Sequence, residues 1–266
     1  TGGGAAIVGG SGQKGNGGSV SIQSGASVLG EGGSIKITTG DTKTSSTGSL
    51  SLESHSTATG TKTGNVRVAS GSALAGVSGD VSVSSGSALQ TAGDVSIGAG
   101  NSQGEGGGDV LVAGGSSQSD TGGSVRVRSG AGGATGGSGS VDISSADGEV
   151  ESGAVRFATG KAASAESGAV SIQSGSGNTA GSVVISSGKS LEGLGGDVAI
   201  EAGKSASSIG GSIVLSSGAG QDMGSGSVDI RTASSSLEGA SGKVTIATGS
   251  TAAGSSGDLK MSTGAS

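Results

Sequence analysis

Large apolar residues recur along the chain in pairs that are separated by one residue and flanked by glycine. The first two copies read Gly18-Ser-Val20-Ser-Ile22-Gln-Ser24-Gly25 and Gly33-Ser-Ile35-Lys-Ile37-Thr-Thr39-Gly40. Seventeen copies follow one another at a mean spacing of about 15 residues, and a weaker copy opens the chain at residues 4–8. Because successive side chains of a strand point to opposite sides, each pair predicts a strand of about six residues with one apolar face.

The predicted fold is all-β. One short strand per 15 residues, with no copy distinct from the rest, is typical of a solenoid in which every copy covers the apolar pair of its neighbours. We therefore expect a single-stack β-solenoid, or β-helix, of 17 or 18 rungs that runs through residues 1–266 as one continuous domain. One copy per turn is favoured because odd and even copies do not diverge, and two copies per turn is the alternative. The predicted core ladder includes Val20, Ile22, Ile35, Ile37, Val66, Val68, Val125, Val127, Val170, Ile172, Val198, Ile200, Val244 and Ile246.

Glycine lies two residues before the first apolar residue in all seventeen copies, and we call it the corner glycine. Glycine reaches the positive φ values that tight corners require, so this column predicts the turns of the repeat. The first eight corner glycines are Gly18, Gly33, Gly48, Gly64, Gly79, Gly93, Gly108 and Gly123. The segments between strands carry single apolar residues that we expect to fill the core from the opposite side, namely Val28, Leu74, Leu89, Leu191, Ile209, Met223 and Leu237.

Composition narrows the class of protein. The chain has 62 Gly but no Pro, Cys, Trp or Tyr, and its net charge is −6. The absence of Cys excludes disulfides and thiolate metal sites. No apolar run is long enough to span a membrane, and an acidic chain without aromatic stacking residues disfavours nucleic acid. A flexible Gly/Ser linker is disfavoured because a linker has no reason to keep apolar residues at two fixed positions.

Residues with catalytic or metal-binding chemistry are few, and we expect no enzyme, no cofactor and no metal site. The one histidine, His55, takes the place of a glycine at the end of a copy and fits a solvated corner better than a general base. The acidic group Asp142, Asp147, Glu149 and Glu151 lacks the long loops that build a cleft around paired carboxylates. Aspartates that precede some apolar pairs lack the nine-residue period of calcium-binding rolls.

The Gly-x-Val-x-Ile-x-Ser-Gly phrase resembles the Gly/Ser-rich repeat arrays of extracellular filament, surface-hair and adhesive proteins of diatom-like algae. This resemblance implies a structural protein at the cell surface that contributes to a filament, stalk or appendage. The implied partners are further copies of itself, by end-to-end or lateral assembly, and other matrix proteins or surface glycans. The chain begins and ends inside a copy, so we expect a segment of a longer repeat protein or a filament subunit.

Two further functions remain open for a repeat of this kind. An ice-binding solenoid is one, although charged residues such as Arg126 and Asp142 interrupt the column that lies between the apolar residues. An adhesin stalk that binds glycans is the other.

Overall fold

The computed structural model describes residues 2–58, 62–235 and 239–264. Within these ranges the backbone forms no helix and no β-strand. The prediction of an all-β fold, a β-solenoid or β-helix, is therefore wrong, because the described copies are not joined to one another by a strand ladder. The chain divides into two units, Thr1–Arg128 and Ser129–Ser266, and the features below lie within one unit or the other.

Closed backbone loops take the place of the predicted sheet. In each, a corner glycine donates its N–H to the carbonyl oxygen of a glycine eight or nine residues earlier, which we call the neck glycine. The bond from Gly18 to Gly10 measures 2.7 Å and the bond from Gly33 to Gly25 measures 2.9 Å. The same bond closes the loops 100–108, 115–123, 130–139, 188–196, 203–211 and 218–226. The 15-residue period of the sequence is therefore also a period of the backbone.

A bend lies in the middle of each loop, and a hydroxyl group stabilises several of these bends. Ser27 Oγ accepts a hydrogen bond from the Gly30 N–H at 2.9 Å, and Ser190 Oγ accepts one from the Gly193 N–H at 2.8 Å. Short polar side chains that bond to the backbone two or three residues ahead are a common way to fix a turn. The other hydroxyls in this role belong to Thr42, Ser102, Ser117 and Ser205.

No side chain of the described residues is buried. The chain exposes 26578 Å² of surface, whereas a compact protein of this mass exposes roughly 10,000 Å². Stacking the copies would order a glycine-rich backbone, which loses more conformational freedom than any other, in return for the burial of two large apolar side chains per 15 residues. Short local bonds, which order only eight or nine residues at a time, form instead.

Candidate functional site

The apolar pairs form a repeated, solvent-exposed face, which we call the aliphatic face. Exposure alternates along each pair: Val110 is 53% exposed, Leu111 is 88% and Val112 is 71%. The first and third side chains therefore share one side of the backbone, and the residue between them points to the other, as in an extended chain. The aliphatic face is thus present in each copy, although no strand ladder joins the copies that the structure describes.

All the residues expected to form the core ladder lie on this face. The structure leaves them between 51% and 74% exposed. The first residue of a pair is more covered than the second, as at Val20 and Ile22. The apolar residues expected to fill the core from the opposite side are exposed at the loop bends, and Leu237 lies outside the described residues.

The corner glycines occupy the loop necks in two ways. Gly18, Gly33, Gly108 and Gly123 donate the bond that closes a loop. For Gly48, Gly64, Gly79 and Gly93, an added Cβ atom would lie 3.7–3.9 Å from the Cβ of a Ser or Thr residue across the neck, which is ordinary van der Waals contact.

The least exposed residues of the repeat are small residues of the neck. The residue before each neck glycine, which we call the neck residue, lies opposite the next corner glycine. Ser24, Ser129 and Ala202 are neck residues, and they are half-buried while the apolar pairs are exposed. An added Cβ on Gly33 would lie 3.2 Å from the Ser24 Cβ, so the two sides of the neck are close. Small residues in this column therefore allow the backbone of the loop to close.

Two of the neck residues are glycines, and there the backbone is closer still. A Cβ atom added to Gly114 would meet the carbonyl oxygen of Gly123 and lie 2.9 Å from its carbonyl carbon. A Cβ atom on Gly9 would meet the carbonyl oxygen of Gly18 in the same way. In the sequence, Gly114 is only an exception to a column of Ser and Thr, whereas in the structure its missing side chain makes room for the neck.

An open apolar notch of about 360 Å³ interrupts the aliphatic face of the second unit. Phe157, Val170, Ser171 and Ile172 line it, so two successive copies contribute to its walls. Phe157 is the single aromatic residue of the chain and is 69% exposed. The notch offers apolar contact and no charged group.

The residues considered for catalysis are not gathered into a site. His55 is exposed, as are Asp142, Asp147, Glu149 and Glu151, and Asp142 accepts a 3.3 Å bond from the hydroxyl of Ser140. In the part of the chain that the structure describes, no group of three or more His, Cys, Asp or Glu residues is placed to hold a metal ion. The one ion pair found there joins Arg231 to Asp229 at 3.9 Å, with both side chains exposed.

The bend hydroxyls are the structural residues that the sequence interpretation missed. They stand seven residues after the first apolar residue of a copy, as Ser27 does after Val20 and Ser190 after Val183. The signal is present as a column rich in Ser and Thr, with Gly or Ala in the remaining described copies. It is hard to find in a chain where these residue types are abundant everywhere.

Comparison of this chain with protein-family models, with curated proteins and with solved structures finds no match. Among the described residues, no helix has the length and apolar character needed to cross a membrane. The function therefore has to be argued from the repeat itself.

Proposed function

We propose that this chain is an extracellular structural protein that contributes to a filament, stalk or surface appendage. The observation that carries the proposal is the shared period of sequence and backbone: loop necks and apolar pairs recur about every 15 residues. A chain built in this way offers the same small binding surface many times at regular intervals. Many weak, equally spaced contacts add up to strong attachment when several engage at once.

The composition supports the same proposal. Charged residues make up 13% of the chain, about half the usual share. Association between such surfaces removes few charges from water, which lowers the cost of contact. Exposed Ser and Thr side chains keep the intervening loops hydrated, so the apolar pairs are the surfaces that gain most from leaving water.

Immunogold electron microscopy on the organism that makes the protein tests the proposal. The loop at residues 102–106 has the sequence Ser-Gln-Gly-Glu-Gly, which no other copy shares, so a peptide antibody can address one point of the chain. We expect gold particles on fibres or appendages of intact cells, and their loss when the peptide competes. Labelling that appears only after the cells are made permeable would overturn the extracellular assignment.

A further inference from the structure

We propose that the aliphatic face around the Phe157 notch binds a second copy of this chain. The inference rests on the proposed function and identifies the surface and the partner through which that function begins. Phe157 and Ile172 belong to successive copies and line one notch of about 360 Å³. At this place the aliphatic face therefore continues from one copy to the next.

The area available exceeds what a stable dimer needs. Specific complexes bury about 800 Å² on each partner. The chain exposes roughly 16,000 Å² more than a compact protein of its mass, and its large apolar side chains contribute to that excess. A notch of about 360 Å³ also has room for apolar side chains, since a cavity of about 150 Å³ accommodates benzene.

The second copy is the occupant that the sequence favours. Every chain carries the same apolar pairs at the same spacing, so two copies in matched register place several pairs against each other at once. The segment at residues 168–175 contains no charged residue, and its last six residues, Val-Ser-Ile-Gln-Ser-Gly, are identical to residues 20–25. Contact between two such segments strips no charge of its water. Phe157 supplies the one large aromatic group, a residue type enriched at the centre of interfaces.

The lack of Trp and Tyr in the chain allows a direct test of the full-length protein. The variant Phe157→Trp places the sole strong fluorophore in the notch. We expect its emission to shift to shorter wavelength, and its quenching by acrylamide to fall, as the protein concentration rises. Leu74→Trp is the control, because Leu74 is fully exposed on a loop of the first unit, and its emission should not change.

Charge variants in the Phe157→Trp background identify the face. Ile172→Asp puts an unpaired carboxylate against an apolar surface and should raise the dissociation constant, measured by sedimentation equilibrium, at least about tenfold. Gln173→Asp adds the same charge one residue along, on the opposite side of the backbone, and should leave the constant within about twofold. Since Ile172 is exposed, its replacement removes no internal packing, and the circular dichroism of dilute protein should match the parent.

The outcomes separate the inference from the proposed function. A chain that stays monomeric at every concentration, while antibody labels native fibres, overturns the inference and leaves the function standing. A chain that dimerises through the notch but is found only inside cells overturns the function and supports the inference. If the tryptophan emission of the Phe157→Trp variant shifts with lipid vesicles or glycans, and not with protein concentration, the second copy is overturned as the occupant.

Discussion

The replacement Gly114→Ser separates the structure from the sequence pattern most sharply. Most copies carry Ser or Thr as the neck residue, so the pattern alone predicts that serine at this position is harmless. In the structure, a Cβ atom on residue 114 would meet the carbonyl oxygen of Gly123. Both clashing atoms of Gly123 belong to the backbone, which cannot rotate away as a flexible side chain would. The neck has to open.

The size of the effect follows from the bond that holds this neck. Gly123 donates its N–H to the Gly115 carbonyl oxygen at 2.8 Å. A hydrogen bond of this kind contributes about 1 kcal/mol net, and its loss increases the open population of the loop about fivefold. Because the neck is one local bond in an exposed loop, we expect the change to stay within loop 115–123.

Amide hydrogen exchange measured by NMR gives the readout at Gly123. We expect exchange about fivefold faster in Gly114→Ser than in the parent chain. Gly115→Ser is the matched control, because a Cβ atom on residue 115 meets nothing within 4 Å, and it should leave the rate unchanged. Equal rates in the two variants would refute the close approach of Gly114 to Gly123.

Two other measurements test the loops and the absence of a core. Ser190→Ala removes the acceptor of the Gly193 N–H, and we expect that amide to exchange a few times faster, whereas Ser186→Ala, on the adjacent segment, should leave it unchanged. An unaltered Gly193 rate in Ser190→Ala would show that the hydroxyl does not hold the bend. Dilute protein in a calorimeter should show less than about a tenth of the roughly 190 kcal/mol expected for cooperative unfolding of a folded chain of 266 residues, because no described side chain is buried. A sharp transition near the full value would contradict the exposed apolar pairs.

Local features of this chain are readable from its sequence, and the pairing between copies is not. Alternation at residues 110–112 follows from the covalent geometry of an extended backbone, which needs no partner. A strand ladder needs a neighbour, and whether one forms depends on the balance of burial against backbone entropy over the whole stack. The sequence interpretation takes the regular apolar columns as sufficient. The described part of the structure has the columns with the local bonds and without the ladder.

The neck residues show why the candidate surface falls on the wrong side of this balance in the sequence interpretation. Ser24 and Ser129 share the alternation of the apolar pair, so the pattern predicts that they point into a common core. They instead lie half-buried at the neck, where a small side chain lets the backbone close, and the apolar residues remain in solvent. Which of two inward columns becomes covered depends on small differences in distance between backbone atoms, and residue type alone does not specify them.

The residue between the two members of each pair sets the limits of association through apolar contact. Lys36, Arg67 and Arg156 carry a charge in that position, and a charge on one side of an exposed segment disfavours contact on that side. Val184 and Val214 occupy the same position in the second unit and are 79% and 82% exposed, so the segments around them are apolar on both sides. Copies of the first type can associate through one face, and copies of the second type through two. The chain therefore combines a repeated attractive face with charges that restrict it, which favours ordered contact between copies over unlimited aggregation.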